Sequence, residues 1–425
     1  MSDNLELNDD CRAMLSGDQG PALQFAMQLV ERAAIAMRAK DLVPVTFAHI
    51  DACFYAGRAH VDFARFMLEA GAKFRIPAWT NNGLVSLADE NIRDPETEIA
   101  RGARELMQLY ADLGCHTVWT CAPYQLPGGP ELGDHIVVGE SNAVSFYNAV
   151  VGARTNKYGD YLDVACGLTG YAPRYGLHTD EGRRAKLLID TSAIPDNLNR
   201  QDIYFHLLGT VIGQQSGKLI PAIDTLDPDT GEDALKAVSA AAAAAGGVEH
   251  WHGIGRTPEA PDRETAFSGY EPAQTIQVTL ETLAAARRSL TSASDGPVEM
   301  VALGTPHFSF TEFASLVPLL QGRKIHADTR LYISTSRHVR ELAARKGWIE
   351  ILEQAGAQII VDTCTYFSPA VRGCRGRVMT NAAKWAWYAP GMLGVEVCFG
   401  SLEECAATAV KGEVWRDRNL WRELS

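Results

Sequence analysis

No Cys-x-x-Cys pair occurs in the 425 residues, which leaves a zinc ribbon, a thioredoxin-like dithiol and a ferredoxin-type cluster run without support. A phosphate loop, His-Glu-x-x-His, Gly-x-Ser-x-Gly and a Gly-x-Gly-x-x-Gly behind a strand are likewise missing. Nucleotide chemistry and serine hydrolysis lose their usual signatures. Basic residues are in deficit, 39 against 52 acidic ones, with no Lys/Arg run, so a nucleic-acid partner is not expected. No apolar stretch is long enough to cross a bilayer, and the N-terminus has neither the basic nor the apolar region of a signal peptide. No membrane association is expected, and the cytoplasm is the expected address.

What is present is the composition of a folded protein, with 46% apolar and 21% charged residues. The length suits two or three packed domains. Nine cysteines, an odd number spread through the chain, imply reduced thiols, some of them available as metal ligands. Any metal centre has to be assembled from distant positions.

Helical periodicity from Pro21 to Lys40, 61–69 and 96–112 alternates with short apolar runs at 42–48, 73–76 and 116–120. Such alternation predicts an α/β fold of parallel sheets covered by helices. A first α/β domain is expected over 1–150. A middle domain, 151–270, holds irregular turns and an Ala-rich segment, Ala237 to Ala245, read as a tightly packed helix. Arg263 to Gln274 reads as a linker, and a second α/β domain follows over 271–425. There, strands are expected at 298–303, 331–334 and 358–361, with a capping box at Ser309 and Glu312 opening a helix, and a further helix over 339–346.

In parallel α/β sheets ligands bind beyond the carboxyl ends of strands. Those ends carry His49, Asp51 and Cys53; Asn81 and Asn82; Cys121; His307; and Asp362 and Cys364. Taken singly, each cysteine also fits a small buried hydrophobe, each histidine a satisfied core residue and each aspartate a turn cap. Together they exceed what a purely structural sheet edge shows, and a site between two α/β domains follows. Lys384 sits among aromatics and reads either as a snorkelling surface lysine or as a cation facing the cleft. Ser141, Asn142 and Asn148 add polar density suited to substrate contact.

Eight ordered stretches, spanning about residues 11 to 415, resemble the aconitase X catalytic domain. They are Met14–Gly20, His49–Cys53, Trp119-Thr-Cys-Ala-Pro-Tyr-Gln125, Gly139-Glu-Ser-Asn-Ala-Val144, Gly152–Asn156, Gly304-Thr-Pro-His-Phe-Ser309, Asp362-Thr-Cys364 and Phe399–Cys405. The resemblance implies an aconitase-like core without its swivelling domain, a small partner subunit supplying that domain, and an iron-sulfur cluster between domains. It implies dehydration of a small hydroxy acid, with wording closest to the cis-3-hydroxy-L-proline branch. Cys121 and Cys364 match cluster positions. A third ligand position falls on Thr305, a poor iron ligand, which makes a two-iron cluster (2Fe-2S) the expectation and Cys53 its candidate extra ligand. Lys384 and Asn148 match substrate positions, and Lys384, His49 and Asp51 are the catalytic candidates, with Asn81, Ser141, Asn142 and His307 beside them for substrate. The chain departs from the family at Ala78-Trp-Thr-Asn81, Ala149, Asn381-Ala-Ala-Lys384 and Tyr171. These departures motivate an alternative, a catalytically decayed paralog serving as a binding or regulatory subunit.

Overall fold

Three parallel sheets form the framework, and most of their strands are short and largely buried, as strands covered on both faces must be, the edge strand Gln274–Gln277 being mostly exposed. The structure, a computed structural model, describes residues 5–88, 97–224, 226–367 and 374–421. The first sheet has the order Ala78–Thr80, Phe47–Ile50, Ile136–Val138; the second, His252–Gly253, Pro221–Ile223, Leu187–Asp190, Gln274–Gln277; the third, Ala357–Ile360, Arg330–Thr335, Met300–Phe308, Arg377–Thr380, Glu396–Phe399. All neighbouring pairs in these sheets are parallel. A separate antiparallel pair joins Leu42–Pro44 to Tyr171–Pro173.

Most expected helices form. Pro21–Met37 begins with proline in its first turn, where the missing N–H costs nothing. Ser309 and Glu312 close a reciprocal capping box on Phe310–Leu320. The Ala-rich segment is the helix Glu232–Gly246, which lies so close to Asp202–Ser216 that a Cβ on Gly209 would stand 2.6 Å from the Val238 carbonyl oxygen. Only glycine and alanine permit that approach, which explains the run of alanines. The helix expected from Glu96 is Glu98–Asp112; Glu96 itself lies outside the described residues.

Five expectations change. Lys73 to Ile76 is not a strand, because pairing starts after Pro77, whose carbonyl accepts the first ladder bond from Ala48 N–H (2.9 Å). The run 42–48 divides, its first half antiparallel to Tyr171–Pro173 and its second half in the parallel sheet. Residues 116–120 pair only at His116, opposite Trp79, since Trp119 turns to φ 45° and ends the extended run. The expected linker from Arg263 holds the helix Arg263–Phe267, with Phe267 buried, and leads into a strand of the second sheet at Gln274. The strand from 298 runs instead from Met300 to Phe308, through the Gly-Thr-Pro-His stretch. Among the described residues no helix is long and apolar enough to cross a membrane.

Candidate metal centre and active site

The carboxyl edges of the first and third sheets face one another, and the turns leaving them interlock. Gly83 N–H donates to the Asp362 carbonyl (2.8 Å), and Leu87 N–H donates to the Asp362 carboxylate (3.0 Å). Asp362 is fully buried and takes two parallel bonds from the Arg337 guanidinium (2.7 and 2.8 Å), a fork geometry that fixes orientation as well as charge. Its φ of 72° is rare for a residue with a side chain, as is the 45° of Trp119. Each stands two residues before a cysteine, Cys364 and Cys121. Backbone held in such conformations persists only where its surroundings over-determine it.

Those surroundings are specific. Trp119 N–H donates to Thr80 Oγ1 (3.0 Å), Ala122 N–H to Thr120 Oγ1 (3.1 Å), and Asn142 Nδ2 to the Cys121 carbonyl (2.9 Å). The result places the Cys121 and Cys364 sulfurs 3.8 Å apart, although 243 residues separate them in sequence. A disulfide needs about 2.05 Å. Two thiolates at about 2.3 Å on one tetrahedral metal are about 3.8 Å apart, so the pair is spaced as chelating ligands are. His307 completes the group: the ligand atoms of Cys121, His307 and Cys364 all lie within 4.8 Å of one another, and all three residues are buried.

The state of His307 follows from its neighbours. Nε2 faces the Thr363 carbonyl at 3.1 Å, which only accepts, so Nε2 carries the proton and Nδ1 accepts from the Thr120 hydroxyl (2.9 Å), the bond that a metal at Nδ1 would replace. Burial pushes its pKa down to about 4, leaving neutral imidazole, the form that binds metals, with its far N–H bonded to a carbonyl as ligating histidines usually are. Burial, with Cys121 alongside, drives the Cys364 thiol well above the ordinary range. A metal ion opposes that by stabilising the thiolate. Two soft thiolates and one imidazole therefore fit an iron centre.

Beside this group lie the charges. Lys384 is not a surface lysine: it is 3% exposed, ion-paired with Glu140 and 3.3 Å from Ser141 Oγ. Burial alone pulls its pKa down, but Glu140 and the neighbouring Cys121 outweigh that, and the ammonium form prevails. Glu140 also caps the helix Ser141–Phe146 through Ala143 N–H (2.8 Å). Asp51 is half-buried and accepts from Asn81 Nδ2. Burial first, then Asp160 and Glu140, lift its pKa to about 6. Behind it the Asp163 carboxylate accepts from the backbone N–H of Asp51 (2.7 Å) and Ala52 (3.1 Å). Gly139 leaves no room for a side chain, since a Cβ there would stand 2.5 Å from that of Asp51.

The structure sorts the expected residues. Cys121, Cys364, His307, Lys384 and Ser141 converge, with Asp51 and Asn81 on the same sheet edge. Cys53 does not join the metal group: its thiol is turned to the Ile50 and Asn81 carbonyls (3.2 and 3.5 Å). His49 is enclosed, Nε2 on the Thr120 carbonyl (2.9 Å), and braces the cysteine turn. Asn142 is occupied by Cys121, Glu140 and Tyr124 OH (2.7 Å). Asn148 is a structural tie whose amide is spent on Thr155, Glu249 and Arg183. Trp79 stacks edge-on against Phe47 (5.0 Å) inside the first core rather than filling a pocket, and Tyr171 OH accepts from Asn8 (3.1 Å) on the partly exposed side of its strand. Glu140 and Asp163 are the partners that sequence reading left unassigned. An acidic residue before a short polar-apolar helix is the one signal that marks Glu140 as a cap.

Family models described as aconitase X first, second and third domains match residues 4–181, 185–288 and 298–411. A cis-3-hydroxy-L-proline dehydratase of Pseudomonas aeruginosa is 41% identical over 94% of this chain and 69% of its own length. One of Hypocrea jecorina is 35% identical over 96% and 69%. The phosphomevalonate dehydratase large subunit of Thermococcus kodakarensis is 33% identical over 88% and 92%. The crystal structure of Thermococcus kodakaraensis aconitase X in its holo-form superposes with a TM-score of 0.84, at 31% identity, covering 95% of this chain and all of that one.

Proposed function

The chain belongs to the aconitase X family, and from that premise we propose that it is the large subunit of a cytoplasmic hydro-lyase that dehydrates cis-3-hydroxy-L-proline or a related hydroxy amino acid. An iron-sulfur centre of the 2Fe-2S kind would be held by Cys121 and Cys364, with His307 as third donor in place of Cys53. A small subunit carrying the swivelling domain completes the enzyme, a reading supported by relatives named as large subunits. The observation that carries the proposal is the 3.8 Å approach of two buried thiols, with a neutral imidazole in the same group.

When bound, the centre supplies Lewis acidity that makes hydroxide a better leaving group. Lys384 offers a buried ammonium for the substrate carboxylate, with Ser141 Oγ beside it. Asn81 Oδ1 is buried with no hydrogen-bond partner among the described residues, an acceptor suited to the ring ammonium of an imino acid. Asp51, carried by the same turn system, takes the carbon-bound proton as the C–O bond breaks. Asp163 and Asn81 hold it in place.

The pH dependence follows from Asp51. A base acts deprotonated, so kcat/KM should fall about tenfold per unit as pH drops below about 6 and level off above it. Asp51→Asn should abolish that limb and cost roughly 10²- to 10⁴-fold in rate. A pH–rate profile of both proteins checks it, and an unchanged acid limb in Asp51→Asn would remove Asp51 from the mechanism.

Anaerobic purification of the chain with its small subunit tests the whole reading through iron, acid-labile sulfide and turnover of cis-3-hydroxy-L-proline. Iron-free, colourless protein would end it. Iron without turnover of any hydroxy amino acid would instead favour the decayed paralog. His307→Cys should retain iron while lowering the reduction potential by an amount on the order of hundreds of millivolts, since thiolate replaces imidazole. An unaltered potential and EPR spectrum would show that His307 is no ligand.

A further inference from the structure

A polar cavity of about 680 Å³ opens where helices Asp202–Ser216 and Glu232–Gly246 meet the carboxyl edge of the third sheet. Cys121, His307, Cys364 and Lys384 are absent from its lining. Two buried side chains face it with polar groups unspent. Asn381 is 6% exposed, and its carboxamide has no hydrogen-bond partner among the described residues. His206 is 9% exposed, and its Nδ1 accepts the Ala383 N–H (3.4 Å), so the proton sits on Nε2, which has no partner among the described residues. Both groups border the cavity and are free to bond a ligand there.

The lining has two electrostatic ends. At the inner end, His206 Nε2–H and Asn381 Nδ2–H are joined by the first turn of Glu232–Gly246, whose N-cap Gly231 has no side chain to satisfy the free N–H groups. This end favours a carboxylate. At the rim, the exposed acids Asp227, Asp229 and Glu403 outnumber Arg200, the exposed cation of the lining, and favour a cation. The remaining acids of the wall, half-buried Asp233 and Glu312 and exposed Asp202, are already bonded: Asp233 and Glu312 to Lys236, and Asp202 to the N–H groups of Ile203 and Leu402. Phe205 supplies an apolar side. We propose that this cavity is a second small-molecule site, selective for a zwitterionic amino acid whose carboxylate meets Asn381 and His206 and whose ammonium faces the acidic rim. The site is built from residues that the proposed dehydration does not use, so it stands or falls separately.

L-Proline is the probe, because it is zwitterionic and has no hydroxyl to eliminate. The protein is the chain with its small subunit, carrying Lys384→Met/Glu140→Gln so that the carboxylate anchor beside the cysteines is gone. Calorimetry should show saturable binding at one site per chain, and adding Asn381→Leu, or the near-isosteric Asn381→Asp, should weaken it at least about tenfold. Hydrogen exchange on the protein without substitutions should show proline-dependent protection at residues 200–206 and 229–237, which needs no variant to fold. Absence of saturable binding, loss of binding on removing Lys384, indifference to both Asn381 substitutions, or no protection in those segments would each overturn the proposal.

Discussion

Cys364→Ser and Cys121→Ser should each purify with less than about a tenth of the iron of the parent complex and with activity down by at least about 10³-fold, since a hydroxyl is a poor substitute for a thiolate and a two-donor remnant cannot retain the centre. Both sulfurs belong to one group, so the double substitution should be no worse than either single one, the non-additivity of parts that work as a unit. Burying a serine hydroxyl also costs stability, about 1–3 kcal/mol, and that cost has to be separated from loss of metal. Cys166 provides the control, being fully buried in the first core and outside the metal group. Cys166→Ser should lower the midpoint of denaturation comparably and leave iron content intact. Iron retained in Cys364→Ser would remove the thiolate pair as the seat of the chemistry.

Lys384→Met should lower kcat/KM by roughly 10³-fold or more and destabilise the fold by about 3–5 kcal/mol, because it strands the Glu140 carboxylate in a buried setting. The two effects part in the double variant. Lys384→Met/Glu140→Gln removes both charges, keeps an oxygen for the Ala143 N–H, and should recover most of the stability with none of the activity. If activity returned with stability, Lys384 would be a brace for Glu140 and no contact of substrate. Lys384→Arg should not rescue activity either, since a larger planar fork cannot replace a compact ammonium in a buried pair with Glu140.

Much of the framework is legible in residue patterns. Burial on both faces makes parallel strands continuous apolar runs, and glycine or proline marks their ends, so the alternation of helix and strand could be read directly. The Ser309–Glu312 box is a local signal needing no tertiary knowledge. Reading failed where local appeal and tertiary pairing disagree. Lys73 to Ile76 has a strand's apolar rhythm, yet the ladder begins beyond Pro77, and Arg263 to Gln274 has a linker's composition, yet Phe267 is packed inside. Asn148 has the polar neighbourhood and the family match of a substrate contact, and only the fold shows that Arg183 and Glu249, 35 and 101 residues away, already bond its amide.

The sequence by itself determined the α/β class, the family resemblance and which residue types stand at strand ends, because side-chain periodicity and strand-terminating residues are properties of a single segment. Only the tertiary structure decided which of those residues meet: that Cys121 finds Cys364 across 243 positions, that His307 offers Nδ1 because Thr363 claims its other nitrogen, and that Lys384 faces Glu140 rather than water. Distances and protonation states belong to pairs of segments brought together by packing, and no local pattern in either segment encodes its partner.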